Sequence, residues 1–113
     1  MKVMIVDDHF VVRSGLITSL ELEDDITVVA EAENGEAVIE LFLKTRPDVI
    51  LMDLQLPGWS GIETTERLLE AAPEARVLIF STFARDDEIQ VALASGALGY
   101  LQKTAGRDEL ITA

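Results

Sequence analysis

The stretch "VILMDLQLPG", residues 49–58, decides the fold. Four apolar residues read as a strand buried on both sides. The run then meets a carboxylate at Asp53, and Pro57-Gly58 turns the chain soon after. A core strand that ends in an acid needs a reason, and the remainder of the chain supplies one.

Outward from this stretch, short apolar runs alternate with amphipathic segments. The runs fall at 3–6, 26–30, 49–52, 77–80 and 98–101. Helix-like segments lie between them at roughly 10–22, 34–44, 60–71 and 85–95, and a last one starts near 106. Strand followed by helix, five times over, is the pattern of a parallel sheet covered by helices. Local punctuation agrees. Ser60 and Glu63 have capping-box spacing. Pro47, Pro73 and Gly96 fall where the second, third and fourth helices must stop. The runs "VMIV", "VILM" and "VLIF" are continuously apolar, as central parallel strands should be. "ITVVAEA" carries Thr27 and Glu31, and "LGYL" carries a glycine, so these two belong at the edges. The order 2-1-3-4-5 follows, a flavodoxin-like (βα)5 three-layer sandwich in one domain over residues 1–113.

Composition narrows the function. Apolar residues are 49% of the 113, enough for a core. There is no cysteine, which excludes disulfides, thiolate metal sites and a cysteine nucleophile. No segment approaches the roughly 18 apolar residues of a membrane span. A cytoplasmic location is expected. The net charge of −12, from 21 acids against 9 Lys and Arg, repels a phosphate backbone and makes the chain itself a poor nucleic-acid binder.

In such sheets ligands bind at the carboxyl ends of the strands, where the strand order reverses. Strand 1 runs into Asp7-Asp8, strand 3 into Asp53, strand 4 into Ser81-Thr82, and strand 5 into Lys103. The fold gathers these on one rim. Three crowded carboxylates repel one another unless a cation intervenes, and a hard oxygen-liganded ion such as Mg²⁺ suits them. Lys103 adds a fixed positive charge and Ser81 a hydroxyl donor. Around a nucleophilic carboxylate this is equipment for phosphoryl transfer. Taken singly, each residue has a plainer reading: an Asp as turn or helix cap, a surface lysine, a loop serine. Their shared position at the ends of four strands favours a site.

These residues resemble the receiver domain of a two-component response regulator, and the resemblance covers essentially the whole chain. It rests on Asp7-Asp8, Asp53 with Pro57 and Gly61 after it, Ser81, and "GALGYLQK" ending at Lys103. Within the family, "DDHFVVRSGL" resembles the NarL/FixJ (LuxR-type) class through His9, Arg13, Gly15 and Leu16. The resemblance implies that Asp53 accepts a phosphoryl group from a sensor histidine kinase. It implies that Asp8, Asp53 and the backbone carbonyl of Gln55 ligate Mg²⁺, with Asp7 acting through a bound water. Lys103 would pair with phosphoryl oxygens, Ser81 would hydrogen-bond one of them, and Tyr100 would be the switch aromatic. It also implies a C-terminal helix-turn-helix domain that binds DNA, which this chain does not contain. The chain stops inside the fifth helix and reads as an excised domain. Homodimerisation on phosphorylation is plausible for the class.

Two departures stand out. Thr82 occupies a position where a small Ala is common. Thr104 replaces the Pro that follows the lysine in many receivers, which argues against a cis peptide there. His9 lies beside the acid pair, where it could tune the site or bind metal, but one His is no metal cluster and it reads as a first-turn helix residue. Trp59 reads as loop packing with a use as a fluorescent reporter, and Phe83 as a shield that slows loss of phosphate. A Mg²⁺-dependent phosphohydrolase with an Asp nucleophile is the alternative function, but such enzymes want a second Asp where Gln55 stands. A flavodoxin-like electron carrier would need a hydroxyl- and Gly-rich loop in place of "DDHFVVRSG". A degenerate receiver that signals without phosphate would not need the full acidic set.

Overall fold

The structure is a computed structural model that describes residues 1–81 and 86–102. Ten elements follow one another: β1 (Lys2–Val6), α1 (Phe10–Glu21), β2 (Thr27–Ala32), a 3-10 turn (Gly35–Ala37), α2 (Val38–Thr45), β3 (Val49–Met52), α3 (Gly61–Ala71), β4 (Val77–Ser81), α4 (Asp86–Ala94) and β5 (Gly99–Gln102). The five strands form one sheet in the order β2-β1-β3-β4-β5, and every pairing is parallel. The expected flavodoxin-like fold is the one observed.

The alternation of side chains along each strand divides the core in two. Met4, Val6, Ile50, Met52, Val77 and Ile79 face α2, α3 and α4, where they meet Val38, Phe42, Leu68 and Ala92. Val3, Ile5, Leu51 and Phe80 face the other way, against Leu16 and Leu20 of α1. The three central strands are apolar at successive positions because both faces are covered. β2, at the edge, is only half-buried along most of its length. Its register with β1 slips by one residue between Val3 and Met4.

Element ends follow the sequence signals closely. Ser60 caps α3 by accepting the N–H of Glu63 at 3.1 Å. The Glu63 carboxylate lies 3.7 Å from Arg67, one turn further on. Arg46 closes α2 in the left-handed region (φ 47°), immediately before Pro47, with its N–H donating to Phe42. Such a residue is more often glycine. The segment expected as a single helix from 34 instead opens with a 3-10 turn, capped by the Asn34 side chain on the Ala37 N–H at 3.0 Å. The last helix, expected near 106, lies outside the described residues.

Candidate functional site

The parallel sheet puts the ends of β1 and β3 side by side, with Val6 opposite Met52. The next residue on each strand is an acid. The Asp53 N–H donates to the Val6 carbonyl at 3.0 Å, and the Asp7 N–H donates to Ala32 at 3.0 Å. The ladder thus continues one bond past each strand and fixes both Cα positions. Asp7 is 2% exposed and Asp53 4%. Asp8 and His9 complete the group at the rim. One ligand atom from each of Asp7, Asp8, His9 and Asp53 lies within 4.8 Å of the others.

Each acid is held by its surroundings. The Asp7 Oδ1 accepts the His9 backbone N–H at 2.8 Å and lies 3.0 Å from the His9 Nδ1. The Asp7 carbonyl accepts from the Arg13 Nη1 at 2.6 Å. Arg13 is itself buried, and reaches Glu31 near the end of β2 at 3.2 Å and Glu33 just beyond it at 3.3 Å. One guanidinium therefore ties the end of β1 to the end of β2, in the fork geometry that suits several acceptors at once. The Asp53 Oδ1 accepts the Gln55 N–H at 3.3 Å, which places Gln55 at the edge of the pocket.

The loop after Asp53 is shaped by glycines. A Cβ on Gly61 would come within 2.1 Å of the Asp53 carbonyl oxygen, so α3 starts directly against that peptide. Gly58 has φ +73°, a backbone conformation that side chains rarely adopt. The Glu36 carboxylate lies beside Gly58 and accepts the Trp59 N–H at 2.6 Å. The Trp59 ring in turn lies 4.4 Å below the Arg67 guanidinium.

The structure brings Asp7, Asp8 and Asp53 together, and the Gln55 backbone N–H meets the Asp53 carboxylate. His9 is not in the first helical turn. It is the residue before α1, in extended conformation, and its ring turns toward the acids rather than capping the helix. Ser81 is the last residue of β4 rather than the first after it, and lies opposite Gln102. Its side chain lies outside the described residues, as do Thr82, Phe83, Lys103 and Thr104. Tyr100 is half-buried on β5, paired with Ile79, and packs on the core beneath α2, α3 and α4. Its hydroxyl is buried without a hydrogen-bond partner among the described residues.

Sequence reasoning did not find the roles of Arg13 and Glu36. Arg13 carries a signal in hindsight: it shares the buried face of α1 with Leu16 and Leu20, a spacing that calls for an apolar residue. Glu36 carries none, because its partners are 22 and 23 residues away.

The acidic cluster lies at the carboxyl ends of the strands, at the switch point of a doubly wound sheet, where such folds bind their ligands. The chain belongs to the response regulator receiver domain family, whose model matches residues 3–113. It is 40% identical over 111 residues to the nitrate/nitrite response regulator protein NarL of Escherichia coli strain K12, covering 98% of this chain and 51% of that protein. It is 37% identical over 113 residues to the transcriptional regulatory protein LiaR of Bacillus subtilis, covering all of this chain and 54% of that one. Among solved structures, a LuxR-family two-component response regulator from Aurantimonas sp. SI85-9A1 superposes with a TM-score of 0.94 at 38% identity, over 99% of this chain and 80% of that one. The chain spans about half the length of the curated relatives it matches. The domain is thus the receiver of a NarL/LuxR-class response regulator, and the comparisons give no support to the phosphohydrolase alternative. Among the described residues, no helix is long and apolar enough to cross a membrane.

Proposed function

We propose that Asp53 accepts a phosphoryl group from the phosphohistidine of a sensor histidine kinase. The observation that carries this reading is the position of Asp53: buried at the end of β3, at the point where strand order reverses, and grouped with Asp7 and Asp8. A carboxylate oxygen of Asp53 forms a bond to phosphorus as the phosphorus–nitrogen bond of the donor breaks, and the imidazole leaves. The product is an aspartyl phosphate.

The donor set fits a hard divalent cation. Two buried carboxylates and a third at the rim crowd like charge into a space of 4.8 Å, and all three offer oxygen. Asp8, Asp53 and the Gln55 carbonyl would hold Mg²⁺ directly, and Asp7 through water. When bound, Mg²⁺ neutralises this charge and that of the transferring group. Lys103 and Ser81 would take the phosphoryl oxygens. Tyr100, at the edge strand, would report the change to the face of α4 and β5 by a shift between two packings. The readout would be a DNA-binding output domain in the whole protein, in the cytoplasm, with dimerisation following phosphorylation. The domain is a regulator that catalyses only its own phosphoryl acceptance and slow dephosphorylation.

The test is intact-protein mass spectrometry after incubation with acetyl phosphate, with and without Mg²⁺. A single Mg²⁺-dependent phosphoryl adduct, absent from Asp53→Asn, is the expected result. An adduct that survives in Asp53→Asn would refute the assignment.

A further inference from the structure

We propose that Arg13 is a positioning residue for phosphoryl acceptance: it holds the peptide that joins Asp7 to Asp8, and so sets how readily the pocket takes up its cation. The inference rests on the reading of that pocket as a cation site serving Asp53. Arg13 lies on the buried face of α1 with Leu16 and Leu20, and is 5% exposed. Packing alone calls for an apolar side chain there. A buried charge persists only where it is paired and hydrogen-bonded. Arg13 places three nitrogens on three acceptors. Its Nη1 donates to the Asp7 carbonyl at 2.6 Å, its Nε to Glu31 at 3.2 Å and its Nη2 to Glu33 at 3.3 Å.

These bonds close a ring. The Asp7 N–H donates to the Ala32 carbonyl at 3.0 Å. Glu31 and Glu33 stand on either side of Ala32. Both ends of the Asp7 backbone are therefore tied to one three-residue stretch at the end of β2. The Asp7 carbonyl belongs to a planar peptide that also carries the nitrogen and Cα of Asp8. With Glu31 and Glu33 on its other nitrogens, the guanidinium cannot swing aside, and that peptide keeps one orientation. Asp53 is held from elsewhere. Its N–H donates to the Val6 carbonyl at 3.0 Å, and its Oδ1 accepts the Gln55 N–H at 3.3 Å. Loss of the Arg13 hold should thus loosen the two acids of the first loop and leave the acceptor in place. A lysine would keep the charge, but its single nitrogen lacks the planar fork that spans three acceptors.

The experiment follows phosphoryl uptake from acetyl phosphate by intact-protein mass spectrometry across a range of Mg²⁺ concentrations. The wild-type chain is compared with Arg13→Lys, with the double variant Glu31→Gln and Glu33→Gln, and with Leu20→Ala, a core substitution on the same helix. Arg13→Lys should need about tenfold more Mg²⁺ for half-maximal uptake. Its rate at saturating Mg²⁺ should stay within about twofold of the wild type, because only the binding step is weakened. The double variant changes two side chains at the surface and should need about threefold more Mg²⁺. Leu20→Ala should lower the unfolding temperature but leave the Mg²⁺ requirement within about twofold. An unchanged Mg²⁺ requirement in Arg13→Lys would overturn the inference, and should that variant fail to fold, an unchanged requirement in the double variant would do so. A requirement raised as much by Leu20→Ala would show that Arg13 only supports the fold. In each of these outcomes the reading of Asp53 stands. A wild type that takes up no phosphoryl group, or takes it up without Mg²⁺, would overturn that reading and this inference with it.

Discussion

Between β1 and α1, three residues are held by charge; between β3 and α3, eight residues are held by shape. In the first loop, Asp7 is fixed by the His9 N–H and by the Arg13 guanidinium on its carbonyl, and Arg13 is anchored by Glu31 and Glu33. In the second, Gly61 lets a helix start against the Asp53 peptide, and Gly58 lets the chain turn beside Glu36. The difference follows from what each loop carries. The first brings two acids to a pocket that already holds one, and needs compensating positive charge and N–H donors. The second must hold one acid in place and leave room beside it.

The comparison is most open to attack at Gly61. Gly61→Ala puts a Cβ 2.1 Å from the Asp53 carbonyl oxygen, a backbone atom that cannot move without moving the proposed acceptor. A loss of about 3 kcal/mol in urea unfolding is expected, with slowed phosphoryl uptake from acetyl phosphate. If stability and uptake were unchanged, the second loop would not be held by shape.

Arg13→Met is the matching test of the first loop. The side chain is buried, and its loss strands the Asp7 carbonyl and separates Glu31 and Glu33 from their partner. About 2 kcal/mol should be lost by the same measurement. The crowding of acids sets a test of opposite sign. Asp7→Asn removes one of two buried carboxylates and should raise stability by about 1 kcal/mol in chelator, measured by thermal unfolding. Added Mg²⁺ should then stabilise the wild type more than the variant, since only ions bound to the folded state do so. The smallest effect belongs to Glu36→Gln. It weakens an acceptor on the Trp59 N–H at an exposed site, which should cost about 0.5 kcal/mol. Trp59 emission should change with it, and unchanged emission would show that Glu36 does not set the loop.

The same contrast explains what could be read in the sequence. The acids of both loops were legible because charge announces itself: "DD" after an apolar run, and again a single Asp after "VILM", have no place in a core unless they serve a site. Strand order was legible because burial on both faces leaves continuous apolar runs at 3–6, 49–52 and 77–80, and half-burial leaves Thr27 and Glu31. The clamp at Glu36 was not legible, because it depends on a contact to Trp59 that only the packing of the 3-10 turn beside α3 creates. His9 was misplaced by one position. A helix start is uncertain by a residue or so from sequence, and here that residue decides whether the ring faces solvent or the acids.

The central claim is that Asp53 is the residue that carries the phosphoryl group. An acyl phosphate is reduced by borohydride to an alcohol, so an aspartyl phosphate is converted to homoserine, whereas a free carboxylate is not reduced. The chain should be incubated with acetyl phosphate and Mg²⁺, reduced, digested, and its peptides sequenced by mass spectrometry. Homoserine at position 53, with aspartate intact at positions 7 and 8, is the expected result. Homoserine at position 7 or 8, or a phosphoryl adduct that yields no homoserine, would contradict it.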